Sequence, residues 1–137
     1  MDPQRLIPRL QARVSARPAS PVAESIVEEV WLAVVEGELA TGERLPTVRS
    51  LSIELGVSPR TVERAVDRLQ TLGVVDRRAG EGAFVSLAPP SNEERERHQL
   101  FHGLCRATVD TAERLGFDLD DLLDALAEFR TRDKERL

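Results

Sequence analysis

Helix punctuation between Gly37 and Gly73 constrains this chain more than any other feature of its 137 residues. From Val22 to Glu36 the apolar residues Val22, Ile26, Val27, Val30, Trp31, Val34 and Val35 recur at helical spacing, and Gly37 supplies a stop. After a turn-rich connection through Gly42, Thr47 can cap a second, short helix whose apolar positions Val48, Leu51, Ile53 and Leu55 run up to Gly56. Ser58 then caps a third helix with Pro59 in its first turn, and Val62, Ala65, Val66, Leu69 and Leu72 form its buried stripe before Gly73. Two helices joined at a glycine turn make a helix-turn-helix.

Downstream, Val74–Arg78 and Ala83–Ser86 read as short strands joined by Ala79-Gly80-Glu81-Gly82, a glycine-rich hairpin that forms a wing. Pro89-Pro90 closes this domain. A long helix is expected from Glu93 to Leu115, then Gly116-Phe117, then an Asp118-capped helix to about Arg130. The expected fold is therefore mainly α with a small β-hairpin wing: a winged helix-turn-helix over residues 21–88 and a helical segment over 91–137. Residues 1–20 read as a basic arm ending in the proline-punctuated linker Ser15–Pro21. Arg5, Arg9, Arg13 and Arg17 recur there every four residues, with Leu6, Ile7, Leu10 and Val14 between them. This leaves two readings, a frayed basic tail, which is favoured because chain ends order poorly, or a short amphipathic helix broken by Pro8.

The length suits one domain with a helical appendage and leaves no room for a full catalytic domain. Four Phe, one Trp and no Tyr point to a core of Leu, Val and Ala. The lone Cys105 excludes an internal disulfide framework, and Met1–Arg5 lacks a signal-peptide pattern, so a cytoplasmic location is expected. No apolar run approaches the roughly 18 residues that span a bilayer, and no membrane role is expected. The net charge of −5 is uneven: residues 1–20 carry four arginines against one acid, whereas 21–88 carry seven against eleven. Binding to a polyanion would then depend on where the arginines sit, because phosphate affinity comes from local clusters of cations.

On the third helix Arg60, Arg64 and Arg68 lie at i, i+4 and i+8, opposite the apolar stripe, on the face a recognition helix turns to the major groove. Such a face can read guanine edges or grip phosphates; it is also what a solvated helix with intrahelical ion pairs presents, since Glu63, Asp67 and Arg68 alternate in sign. The residues at the turns decide between these. Val35-Glu36-Gly37-Glu38-Leu39, Gly42-Glu43-Arg44-Leu45-Pro46-Thr47-Val48-Arg49, Leu55-Gly56-Val57-Ser58-Pro59-Arg60-Thr61-Val62, Leu72-Gly73-Val74-Val75 and Arg77-Arg78-Ala79-Gly80-Glu81-Gly82-Ala83-Phe84-Val85 follow one another in the order of the GntR family of transcription regulators. About half of the chain resembles that family. The Leu45–Arg49 motif with a short helical tail containing Leu115-Gly116 resembles its YtrA branch, whose members carry a small two-helix dimerisation region.

The resemblance implies a regulator, most simply a repressor, that binds double-stranded operator DNA. It implies a phosphate or base contact for Arg49, at the start of the second helix, with Arg44 and Thr47 of the same motif beside it. Ser58, Arg60, Thr61 and Arg64 would face base edges, and Gly80 and Gly82 would let the wing backbone approach the duplex. Two positions depart from the family, Glu63 where Arg is usual and Glu81 where a basic residue is common. Glu63 then either accepts from a cytosine amino group or pairs with Arg60 and Arg64 along the helix. Glu81 lowers nonspecific affinity, which the basic arm could offset by reaching a neighbouring groove.

Leu100, Leu104, Val109, Ala112 and Leu115, with Leu119, Leu122, Leu123, Leu126 and Phe129, give the C-terminal helices more apolar surface than they can bury on each other. An isologous homodimer covers it and offers two recognition helices to a palindrome; packing back on the first helix and Trp31 is the alternative. His98, His102 and Cys105 share a helical face but lack a fourth ligand, so no metal and no cofactor are expected. Two helices are also little from which to enclose a pocket of a few hundred Å3, so no small-molecule effector is assigned. An enzyme is not expected, since no nucleophile–base pair, phosphate loop or paired-carboxylate motif occurs. The competing class is a winged-helix protein-interaction module with weak or no DNA binding, which the negative charge with Glu63 and Glu81 would suit.

Overall fold

The computed structural model describes residues 3–18 and 20–136, with side chains over 4–18 and 20–130; Met1, Asp2, Ala19 and Leu137, which belong to the expected arm and helical tail, lie outside the described residues. The elements are α1 (Leu6–Ala16), α2 (Val22–Val35), α3 (Val48–Leu55), α4 (Pro59–Thr71), β1 (Val75–Arg78), β2 (Gly82–Val85), α5 (Asn92–Arg114) and α6 (Leu119–Arg136). They fall into two compact units that divide between Arg95 and Glu96.

The caps act as their residue types dictate. Thr47 Oγ1 accepts from the Ser50 amide at 3.0 Å, and Ser58 Oγ accepts from the Thr61 amide at 3.2 Å, each satisfying a donor at a helix start. Gly56 takes the left-handed conformation at φ +66°, and its amide bonds back to the carbonyls of Ile53 and Ser52. Ser52 Oγ, nearly buried, donates to the Val57 carbonyl at 2.6 Å, so the turn between α3 and α4 is tied by a side chain as well as by backbone. The α4 stripe of Val62, Ala65, Val66 and Leu69 is buried, as its spacing predicts. Ile53 is not: it is 68% exposed, because Leu51 and Ser52 hold the inward side of the short α3.

The wing is a two-stranded antiparallel sheet with Val75 opposite Val85 and Arg78 opposite Gly82. The segment before α3 lies along its free edge: the Gly42 amide donates to the Val85 carbonyl at 2.8 Å, Val85 returns a bond to Glu43 at 2.7 Å, and Leu45 donates to Ala83 at 2.8 Å. Arg44 thereby pairs with Phe84, and the connection leading into the helix-turn-helix is registered on the wing.

The first unit departs from expectation at its N-terminus. Neither the frayed tail nor the helix broken at Pro8 occurs. α1 packs on α2 and α3, with Leu6 and Leu10 fully buried and Ile7 nearly so, in one cluster with Ile26, Val30 and Trp31. Pro8 is harmless because it falls in the first helical turn, where the missing N–H has no intrahelical acceptor and the fixed φ is already helical. Gln11 also donates to the Glu54 carbonyl near the end of α3 at 2.8 Å.

Three of the arm's four arginines are engaged with α2 and the residues just after it. Arg9 lies 2.8 Å from Glu29, 3.3 Å from Glu36 and 3.5 Å from Glu38; Arg13 bonds Glu29 and, at 2.9 Å, Glu28, and Arg17 lies 3.5 Å from Glu28. Burial alone would raise the Glu29 carboxyl. Hydrogen bonds from Arg13 and Arg9 outweigh it and hold the group below its ordinary 4.5. Arg9 and Arg13, committed in this way, are not available to a neighbouring DNA groove, so the centre of the expected basic arm is neutralised within the fold.

In the second unit, α5 and α6 expose most of their apolar residues. Leu100 is 77% exposed, Leu104 62%, Leu115 70% and Phe129 58%. Among the described residues no helix is long and apolar enough to cross a membrane.

Candidate nucleic-acid interface

The expected site residues all lie in the first unit and fall into two groups. Thr47 and Arg49 begin α3 and Ser58, Arg60, Thr61 and Arg64 begin α4, whereas Arg44, Gly80 and Gly82 belong to the wing and its edge. Arg60, Arg64 and Arg68 are exposed on the side of α4 opposite its buried stripe, and Arg49 is exposed at the second position of α3. Among the described residues Arg49, Arg60 and Arg64 enter no ion pair. An unpaired guanidinium with five donors at the front of a helix is suited to phosphate oxygens and to the acceptor pair of guanine.

The hydroxyls are differently placed. Thr47 and Ser58 are occupied as caps, and Ser58 Oγ also shares a 2.9 Å hydrogen bond with Thr61 Oγ1. Thr47 keeps its O–H to donate, and of the Ser58–Thr61 pair one O–H stays free, so capping and contact with a polyanion are compatible.

Between the start of α3, α4 and the wing runs a groove of about 330 Å³. Arg44, Thr47, Gly80 and Gly82 line it with Glu63, Arg77 and Arg78, over an apolar floor that includes Leu45, Val48 and Val66. Arg49, Ser58, Arg60, Thr61 and Arg64 are not among its lining residues. Gly82, at φ +106°, lies under the Arg44 guanidinium: a Cβ there would stand 3.4 Å from Arg44 Nε, in contact with that side chain, and the positive φ strains the backbone of any larger residue.

Arg77, Asp67, Arg78 and Phe84, also in this region, were assigned no role from the sequence. Arg77 Nη2 lies 2.7 Å from Glu63 Oε2 and 2.9 Å from Asp67 Oδ1. Glu63 is therefore paired with the wing, and not with Arg60 or Arg64 along its own helix. Arg78 stacks over Phe84, 4.1 Å from the ring centroid. The signal was available: period-two alternation sends Arg77 and Arg78 to opposite faces of β1, and on an antiparallel hairpin Phe84, opposite Asp76, shares the face of Arg78. His98, His102 and Cys105 all lie on α5, and no cluster of three or more His, Cys, Asp or Glu able to hold a metal occurs among the described residues.

Comparison with known proteins agrees with this geometry. Residues 22–85 match the family model of bacterial regulatory proteins, gntR family. The chain is 26% identical over 111 residues to the HTH-type transcriptional regulator YhcF of Bacillus subtilis, spanning 81% of this chain and 91% of that protein. It is 27% identical over 116 residues to the HTH-type transcriptional repressor YtrA of the same organism, spanning 85% and 89% respectively, so the resemblance to the YtrA branch reaches beyond the wing into the helical tail. A GntR family transcriptional regulator from Listeria monocytogenes shares the fold, with a TM-score of 0.52 at 22% identity over 80% of this chain and 95% of that one. α1 precedes the matched residues, and β2 ends them. With a helix-turn-helix, a hairpin wing and relatives that regulate transcription rather than catalyse reactions, the chain belongs to the gntR family of bacterial regulatory proteins, as a YtrA-like member.

Proposed function

We propose that the chain is a cytoplasmic repressor that binds a palindromic operator as a homodimer, with α4 in the major groove and the wing against the adjoining backbone. The observation that carries this is electrostatic. In a first unit where Arg9, Arg13 and Arg77 are all neutralised by carboxylates, Arg49, Arg60 and Arg64 enter no ion pair among the described residues and are exposed on the two helices of the helix-turn-helix. Arg60 and Arg64 are the base-reading candidates, with Ser58 and Thr61 beside them. Arg49, Arg44 and Thr47 contact phosphates, and Gly80 and Gly82 bring the wing backbone close. The name of the YtrA relative supports repression, and the exposed Leu100, Leu104, Leu115 and Phe129 support an isologous partner. No ligand is needed for binding in this reading, and the duplex is released by dilution or by a molecule lodged between the paired helical tails.

Arg60→Ala and Arg49→Ala should each weaken binding about 10- to 100-fold, the range of a lost bidentate or phosphate contact, while leaving thermal unfolding unchanged because both side chains project from the core. Titration of a fluorescent duplex, chosen by the wild-type protein from a random-sequence pool, measures this. Normal binding by either variant would remove that residue from the interface. Light scattering at micromolar concentration should give twice the chain mass, and a monomer would contradict the dimer.

A further inference from the structure

Two adjacent arginines in β1 have opposite environments. Arg77 Nη2 reaches the carboxylates of Glu63 and Asp67, which stand one turn apart on α4, and lies 3.5 Å from the Glu63 carbonyl. Arg78 lies on the other face of the strand, its guanidinium stacked on Phe84, exposed and without an ion pair among the described residues. The Arg77 pairs are partly solvated, with side-chain exposures of 34%, 44% and 67%, so they add little to stability. Their effect is on charge and geometry. Without Arg77, α4 would present two uncompensated carboxylates, Glu63 on the wall of the groove and the exposed Asp67 one turn along, where they would repel phosphate. With it, the wing is also fastened to the recognition helix at one guanidinium. Stacking over Phe84 restricts the Arg78 guanidinium and reduces the freedom lost when it meets an anion.

Building on the DNA-binding reading above, we propose that the two arginines divide the work of the wing: Arg78, presented by Phe84, contacts a backbone phosphate, and Arg77 is a positioning residue that neutralises Glu63 and Asp67 and fixes the wing against α4. Neither belongs to the set of contacts that the family resemblance implies.

The two roles separate in a salt titration. With the duplex selected by wild-type protein, Arg78→Ala should bind about 10-fold more weakly, and the slope of log affinity against log salt should become shallower by about one, the signature of one lost phosphate contact. Arg77→Gln should also lose about 10-fold, but with the wild-type slope, and adding Glu63→Gln and Asp67→Asn to it should return affinity to within about threefold of wild type. Arg77→Lys should keep most of the affinity. An Arg77→Gln variant with a shallower slope and no rescue would make Arg77 itself a phosphate contact and overturn the division, as would an Arg78→Ala variant with an unchanged slope. Failure of the variants to follow this pattern while the wild type binds leaves the DNA-binding reading standing. Failure of the wild type to select any duplex overturns both.

Discussion

Truncating Leu10 to alanine is expected to destabilise the protein by about 2–5 kcal/mol, the range for a fully buried leucine whose cavity is not refilled. Leu10 is 0% exposed and sits in α1, outside the residues that match the family model. If α1 were an ornament on a self-sufficient domain, truncation would cost little. Instead it shares one cluster with Ile26, Val30 and Trp31 and holds the end of α3 through Gln11. The loss should therefore reach the interface: a loosened α3 misplaces Thr47 and Arg49, and duplex binding should fall together with the unfolding midpoint. Urea unfolding of the wild type and of Leu10→Ala measures the first effect, and a cost below about 1 kcal/mol, the scale of a surface substitution, would contradict the integral role of α1.

The second large effect belongs to Glu29. Its side chain is 9% exposed and receives Arg9 and Arg13, which remain 22% and 16% exposed. Replacing one member of a fully buried ion pair costs about 3–5 kcal/mol; with both guanidiniums partly solvated, Glu29→Gln should cost about 2 kcal/mol. Because the folded protein holds the carboxyl below its unfolded value of 4.5, its contribution is complete above that pH and is lost as pH falls through the lower folded value. Wild-type stability should thus decline on acidification below about pH 4.5 more steeply than that of Glu29→Gln. Parallel pH dependences of the two proteins would show that Glu29 is not held by these arginines.

The helix-turn-helix was legible because its determinants are local. Thr47, Gly56, Ser58 and Gly73 each fix the backbone within a turn or two of themselves, and the α4 stripe has a period that only a buried helix face explains. α1 was not, because its ordering depends on partners that its own residues do not announce. Arg9 and Arg13 look like a solvent-facing basic row until Glu28 and Glu29 are brought against them, and Pro8 looks like a break until it is known to lie in the first turn. Glu63 likewise has a partner that its own segment does not announce. Its position on α4 suggested partners four residues away or a base, whereas the actual partner comes from β1, fourteen residues along the chain. Of the candidate interface, the placement of Arg60 and Arg64 on one exposed face followed from helix periodicity, and Arg49 from the family resemblance, but which cations stay unpaired required the tertiary structure.

In the proposed function two α4 helices of a dimer enter successive major grooves of one duplex. Hydroxyl-radical footprinting of the wild-type protein on its selected duplex tests this most directly. The expected result is protection of two symmetric half-sites about one helical turn apart, roughly 34–36 Å, lost when Arg60 is replaced by alanine. Absence of protection at low salt by folded protein, or protection that the Arg60→Ala variant retains in full, would contradict it.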